Sequence, residues 1–417
     1  MESYYWGLFI FIGLTVFSCN HTAKETPGQT PKIVFIVIDG IPADMILQVK
    51  TPGIDSISHA GGFTKAFVGG KKGGYSESPT ISAVGYNSLL TGTWANKHNV
   101  WNNDVKEPNY HYWSLFRLVE ELAPEKKTAI FSSWTDNRTK LIGVGKDSTN
   151  NLRLDYYFDG FDRDTVAYPH DEEGEYIRMI DNHVAKEAAE YIEELGPDLS
   201  WVYLWYPDHV AHQYGDSPEF RQAIKHADQQ VQAIWQAVQK RMDREEEDWL
   251  IVVTTDHGRD NQTGKGHGGQ SPRERSIWIA TNASELNNYF ENNEPGIVDI
   301  YPTVSRFMDL EIPVEQQREL DGIPLIGPVS VKNIRTEYEK ETHKLYVEWD
   351  PVNPEGYLQM RISKTNNFKT GGSDYYQVMK TIPVKAGSAS LKVGGSSYYK
   401  IVLEAPHNTL NSWVIVD

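Results

Sequence analysis

Three apolar runs in this chain end the same way. KIVFIVID closes on Asp39, DLSWVYLWYPD on Asp208 and WLIVVTTD on Asp256, so each run delivers an aspartate at its carboxyl end. Continuous apolar runs of this length suit central strands of a parallel sheet, buried on both faces. Helical patterns lie between them. Ser217 is placed to cap a helix with Pro218 at its first position, followed by Phe220, Ala223, Ile224, Ala227, Val231, Ile234 and Val238 at helical spacing. A second helix is expected from about Glu173 to Leu195, stopped by Gly196 and Pro197. Strands alternating with helices predict an α/β fold with a mostly parallel sheet flanked by helices. Ligands bind such sheets outside the carboxyl ends of the strands, where the three aspartates fall. One aspartate after a strand is ordinarily a cap or turn residue. Three, two of them with histidine neighbours, point to a site.

The neighbours are informative. His212 follows Asp208 by four residues in YPDHVAHQYG, His257 follows Asp256 directly, and GKGHGG holds His267 in a loop whose glycines let the backbone bend. Asp39, Asp208, His212, Asp256, His257 and His267 thus bring carboxylate and imidazole from four segments. Oxygen and nitrogen ligands without thiolate are what hydrolytic zinc sites use. The only cysteine is Cys19, which excludes an intramolecular disulfide. With 57 acidic against 40 basic residues, the net charge of -17 would repel polymeric nucleic acid. A small phosphate ester would need local positive charge, such as metal ions, to bind.

VIDG, PDHVAH, TTDHG and GHGG match, in order and approximate spacing, the metal-binding motifs of the alkaline phosphatase superfamily. The chain resembles its type I phosphodiesterase/nucleotide pyrophosphatase branch from about Lys32 to Pro328, where IVDIYPTVSRFMDLEIP and LDGIPL also look like the superfamily's closing segment. The resemblance implies two Zn2+ ions, one held by Asp208, His212 and His267 and the other by Asp39, Asp256 and His257. It also implies a Ser or Thr nucleophile at a helix start within SPTISAVGYNSLLTGTWANKHNV. Aligning SLLTG with the family places Ser82 there, its hydroxyl also meeting the metal, with Thr80 as competitor and Ser78 and Ser88 as weaker candidates. SAVGYN looks like the serine motif of cofactor-independent phosphoglycerate mutases as well. The expected phosphate-holding asparagine, sought three residues after the nucleophile, is Gly85 here, with Asn87, Asn102 and Asn103 nearby.

The function implied is an exported zinc-dependent phosphoric ester hydrolase, a phosphodiesterase/nucleotide pyrophosphatase acting through a Ser82 phospho-enzyme intermediate on a small phosphate ester. A phosphomonoesterase on the same site is the runner-up, and an inactive surface-binding module is the non-enzymatic alternative. A sulfatase is disfavoured because SPTIS lacks the arginine of the Cys/Ser-x-Pro-x-Arg motif. A phosphoethanolamine transferase would bring several membrane spans, and none follows the first segment.

At the amino end, the apolar run from Trp6 to Phe17 precedes Cys19, which resembles a bacterial lipoprotein box, although Glu2 stands where a basic residue is expected. This reading gives a lipoprotein-type signal peptide (1–19), a polar linker (20–31) and a location in the bacterial periplasm or at the outer membrane or cell surface, attached through lipidated Cys19. A catalytic domain (32–327) follows. Beyond it, KLYVEWD, GYLQMRIS, SASLKVG, YYKIVLEA and NSWVIVD alternate like strands of a fibronectin type III-like β-sandwich (328–417), with Trp349 on an early strand and Tyr398 or Tyr399 on a late one. A packing or spacing role is expected for it. The aromatic-rich stretch from Trp101 to Tyr168 is a candidate for stacking on substrate, while His98, His111 and His170 read as structural or surface histidines.

Overall fold

The computed structural model describes residue 1 and residues 29–416. The expected signal segment and Cys19 lie outside the described residues. β1 (Thr30–Ile38) runs through the middle of a seven-stranded sheet. The others are β2 (Gly62–Phe67), β3 (Thr128–Ser132), β4 (Tyr156–Phe158), β5 (Leu199–Leu204), β6 (Glu247–Thr254) and β7 (Ser276–Thr281), in the order β2-β7-β6-β1-β5-β3-β4. β7 is antiparallel to both neighbours and every other pairing is parallel. Val37 of β1 pairs with Tyr203 of β5 and with Thr254 of β6, so the carboxyl ends of three adjacent strands open on one crevice.

The continuous apolar run of β1 serves two cores. Ile33, Phe35 and Val37 enter one, while Val34, Ile36 and Ile38 enter the other, as the period of two requires. The first core is closed by α1 (Ser82–Thr91), α2 (Leu115–Leu122) and a later helix over Ile300–Phe307; the second by α3 (Glu175–Leu195), α4 (Tyr206–Tyr214) and α5 (Pro218–Arg244). In α5 the Ser217 hydroxyl accepts from the Phe220 N–H at 3.1 Å, and all seven expected apolar positions are buried. α3 begins at Glu175 rather than Glu173. Gly174 takes a left-handed φ of 72°, and the Asp171 carboxylate accepts from the Glu175 and Tyr176 amides at 2.8 and 2.9 Å, so it does the capping from outside.

The carboxyl-terminal strands form a two-sheet sandwich. β8 (Val331–Glu339), β9 (Lys344–Pro351) and β12 (Ser388–Lys392) make one sheet, and β10 (Tyr357–Ser363), β11 (Gln377–Pro383), β13 (Tyr398–Glu404) and β14 (Thr409–Ile415) make the other. Trp349 on β9 donates its indole N–H to the Val384 carbonyl at 2.8 Å, and Tyr399 on β13 donates to the Gly394 carbonyl at 2.6 Å. Buried charge joins the sandwich to the first domain. Lys97 is fully buried, and its three ammonium protons go to Glu319 O (2.7 Å), Asp321 Oδ1 (2.6 Å) and Asn411 Oδ1 of β14 (2.8 Å). Lys400 of β13 reaches back to Glu319 at 2.5 Å, and Tyr75 stacks on Trp413 with centroids 5.5 Å apart. The sandwich therefore packs against the first domain.

Replacing Lys97 by Met would leave Asp321 and Asn411 buried without their donor. Breaking a buried pair in this way costs about 3–5 kcal/mol. Urea denaturation of Lys97→Met should show a loss of that size, and a change below about 1 kcal/mol would contradict this account of the interface.

Candidate metal centre and active site

Five of the six candidate ligands lie in or next to the end of an element, and the sixth, His267, lies in a loop. Asp39 follows β1, and Asp256 and His257 follow β6 after Thr255. Asp208 was expected at a strand end but sits in the first turn of α4, with His212 one turn later on the same face. That helix is anchored by Asp181, whose Oδ1 accepts from Trp205 N at 3.0 Å and whose Oδ2 accepts from Tyr206 N at 2.8 Å. Burial pushes the Asp181 carboxyl up to about 7. Sequence reasoning missed this residue, because a lone aspartate in α3 carries no signal of its target. His267 is turned inward by its loop and donates from Nδ1 to the Thr80 carbonyl at 2.9 Å.

The structure brings all six together. His257 Nε2 lies 3.3 Å from Asp39 Oδ1 and 3.3 Å from Asp256 Oδ2. Those two carboxylate oxygens are buried and have no hydrogen-bond partner among the described residues. The other oxygen of each carboxylate is engaged: Asp39 Oδ2 accepts from Tyr86 and, at 2.7 Å, from Tyr203, while Asp256 Oδ1 accepts from Gly40 N at 3.1 Å. On the second side, His212 Nε2 is 3.5 Å from Asp208 Oδ2 and 3.1 Å from His267 Nε2. Asp208, His257 and His267 also bring one ligand atom each within 4.8 Å of one another, so His257 stands between the two clusters, and His212, 45 % exposed, forms the rim.

The electrostatics fit cations. Burial lowers His257 and His267 to about 3, so both rings are neutral at physiological pH. His257 donates from Nδ1 to the Gly258 carbonyl at 2.9 Å, as His267 does to Thr80, which leaves both Nε2 lone pairs facing the carboxylates. Burial, followed by the like charge of Asp39, pushes Asp256 well above the usual carboxylate range. Orphaned carboxylate oxygens beside neutral imidazoles, with no thiolate, suit a divalent ion such as zinc.

Ser82 is the first residue of α1, and its Oγ lies 3.3 Å from His257 Nε2. It lines a cleft of about 810 Å³ together with Asp39, Asn103, Trp134, Trp205, Asp208, His212 and His267. The rival hydroxyls are used elsewhere. Thr80 is buried, donates to Gly269 O at 2.9 Å and accepts from Gly268 N at 3.0 Å. Ser78 bonds Ser76 O and Ala95 N, and Ser88 bonds Val84 O and His98. His98 is buried as a structural histidine, accepting from Val100 N at 3.1 Å. From the aromatic stretch, Trp134 reaches the cleft, whereas Tyr112 packs edge-on against Phe368.

Gly85 has a steric cause. A Cβ there would lie 2.6 Å from the Asp256 carbonyl, so α1 approaches the ligand loop only because no side chain intervenes. An asparagine at that position has no room. Asn103 stands at the same helix end instead, its Oδ1 accepting from Ala83 N at 3.0 Å.

Residues 33–270 match the family model described as type I phosphodiesterase/nucleotide pyrophosphatase. Two curated relatives are GPI ethanolamine phosphate transferase 3 of Eremothecium gossypii, 24% identical over 319 residues (70% of this chain, 28% of the relative), and its namesake of Schizosaccharomyces pombe, 23% identical over 245 residues (56% and 25%). The chain spans about a quarter of each relative's length. Among solved structures, that of Ps i-CgsB in complex with k-i-k-neocarrahexaose shares the fold, with 14% identity, a TM-score of 0.51, and coverage of 79% of this chain and 85% of that one. These relatives correct one expectation. The matching proteins are ethanolamine phosphate transferases and not bacterial lipoproteins, so the bacterial periplasmic or surface location with an anchor at Cys19 is withdrawn. The segment that suggested it also lacks the basic residue a bacterial signal requires before its apolar run. Among the described residues, no helix is long and apolar enough to cross a membrane.

Gly85→Ala should force α1 away from Asp256. The expected result is a loss of about 1–3 kcal/mol of stability, as for other overpacked sites, together with weaker zinc binding in calorimetric titration. Unchanged stability and zinc affinity would show that the close approach is not required.

Proposed function

We propose a function from the premise that the family match supplies: this chain belongs to the type I phosphodiesterase/nucleotide pyrophosphatase family, within the alkaline phosphatase superfamily. It is a phosphoryl-transferring enzyme, and in our reading a zinc-dependent phosphodiesterase that uses Ser82 as nucleophile. The observation that carries this reading is the placement of Ser82 Oγ at 3.3 Å from His257 Nε2, beside the orphaned oxygens of Asp39 and Asp256.

Asp39, Asp256 and His257 would hold one zinc, and Asp208, His212 and His267 the other, with His257 close to both. When bound, the two ions supply the positive charge that lowers the pKa of the serine hydroxyl and stabilises the leaving oxygen. The chain does the rest. Ser82 Oγ, its proton lost to solvent, attacks phosphorus and forms a phosphoserine that keeps the remaining organic group of a diester, while the bond to the leaving oxygen breaks in line and that oxygen takes a proton from water. The amino end of α1 favours the charge that develops on the phosphoryl oxygens. With its Oδ1 occupied by Ala83 N–H, Asn103 has its NH2 group left to donate to one of those oxygens. Trp134 and Trp205 line the cleft where the organic group of a small phosphate ester would lie.

The phosphoserine is then resolved by water in a hydrolase or by an alcohol in a transferase. The name of the curated relatives, ethanolamine phosphate transferase, favours keeping the second reading beside the first. A phosphomonoesterase remains the alternative hydrolase, since nothing in the cleft fixes the number of ester bonds.

Ser82→Ala should lower turnover at least about 10³-fold while zinc content stays at the wild-type level; retained turnover would move the nucleophile elsewhere. Asn103→Ala should lower kcat about 10²–10³-fold, the usual loss for one oxyanion donor, and an unchanged kcat would remove Asn103 from the mechanism. A p-nitrophenyl phosphodiester should be turned over with higher kcat/KM than p-nitrophenyl phosphate. In the same assay with an acceptor alcohol such as glycerol added, a product carrying the phosphoryl group on that alcohol in place of the hydrolysis product would identify the transferase.

A further inference from the structure

Arg259 is fully buried beside the candidate ligands, two residues after His257. Its side chain spends four donor bonds on three other segments. Nε donates to the Gly40 carbonyl at 3.2 Å, Nη1 to the Lys265 carbonyl at 3.0 Å, and Nη2 both to the Asp208 carbonyl at 3.0 Å and to Asp208 Oδ1. Gly40 adjoins Asp39, and Lys265 precedes His267 by two residues. One guanidinium therefore ties together all four segments that carry the six candidate ligands. Its room is reserved: Gly40 has a φ of +70°, and a Cβ there would lie 2.4 Å from Arg259 Nη2.

The contacts on the two sides of the cluster are not equal. On the Asp39 side, Arg259 touches only backbone, whereas on the other side it grips the carboxylate of Asp208 itself. Asp208 Oδ1, held by the arginine, lies 4.0 Å from His267 Nε2 and 3.9 Å from His257 Nε2, while Oδ2 faces His212 Nε2 at 3.5 Å. A planar fork fixes the plane of a carboxylate, which the point charge of a lysine does not. Among the described residues, Arg259 is also the one Lys or Arg in ion-pair contact with Asp39, Asp208 or Asp256.

We propose that Arg259 is a positioning residue that fixes the carboxylate plane of Asp208 for the ion shared with His212 and His267, leaving the Asp39, Asp256 and His257 site largely independent of it. This rests on the two-ion reading given above. Groups that orient a metal ligand typically contribute about 10–100-fold in metal affinity.

The test is zinc titration of the metal-free full chain by calorimetry, with ion content read by mass spectrometry, for wild type, Arg259→Lys, Arg259→Gln, His212→Ala and each Arg259 variant combined with His212→Ala. Lys keeps the charge and Gln keeps a hydrogen bond, so whichever variant folds, judged by circular dichroism, gives the answer. The expected result is two ions in wild type, with one tight ion in the Arg259 variants and a second weakened about 10–100-fold. The remaining ion of His212→Ala should bind with the same affinity whether or not Arg259 is changed. Equal weakening of both ions, or a further loss in the double variants, would make Arg259 a general scaffold residue and overturn the proposal, as would unchanged affinities at both sites. Fewer than two ions in wild type would instead overturn the two-ion reading on which it rests.

Discussion

Three carboxylates, from Asp39, Asp208 and Asp256, converge in the buried crevice at the ends of adjacent elements, and one guanidinium stands against them. An isolated ionised carboxylate in such surroundings is expensive unless it is paired or coordinated. The fold settles part of that cost with hydrogen bonds: Tyr86 and Tyr203 to Asp39, Gly40 N–H to Asp256, Arg259 to Asp208. What it leaves unpaired is chemically specific, namely one buried oxygen of Asp39, one of Asp256 and the Nε2 lone pairs of neutral imidazoles. The remaining structure can be read as what is needed to hold that unfinished charge in place.

The scaffold does so by close approach of backbones. β1 lies between β5 and β6, which puts the three ligand-bearing ends side by side. α1 comes against the Asp256 loop because Gly85 has no side chain, and this brings Ser82 to the cluster. Thr80, the other plausible nucleophile, is instead a strut: its carbonyl orients His267 and its hydroxyl bridges the backbone of residues 268 and 269. A hydroxyl engaged in both directions and buried is a poor nucleophile, and this supports Ser82 in the reading proposed above.

The parts of this arrangement that were legible in the sequence are those with a local signature. Continuous apolar runs marked β1, β5 and β6, and Ser217 with Pro218 marked the start of α5, because burial on both faces and helix capping act over a few residues. The ligand residues stood out because they follow those runs. Asp181 and Arg259 did not, since each acts on a segment far away in sequence and nothing near it names the target, and Asn103 was one of three asparagines near Gly85 that the sequence alone did not tell apart. β8 and β11 were missed for a different reason. β8 is interrupted at Asn333, with a φ of +53°, and alternates only beyond that break, while β11 is a largely exposed edge strand, so neither carries an alternating pattern over its whole length. The lipoprotein reading rested on an apolar run with the wrong flank, a compositional signal that the relatives overturned.

The most direct test of the central claim is crystallographic: anomalous diffraction from zinc-loaded protein, recorded on both sides of the zinc absorption edge. The account predicts two peaks flanking Ser82, one within ligand distance of Asp39, Asp256 and His257 and the other within ligand distance of Asp208, His212 and His267. A zinc-loaded crystal with no anomalous peak beside Asp39 and Asp256 would contradict it, because those orphaned oxygens would then need a different explanation.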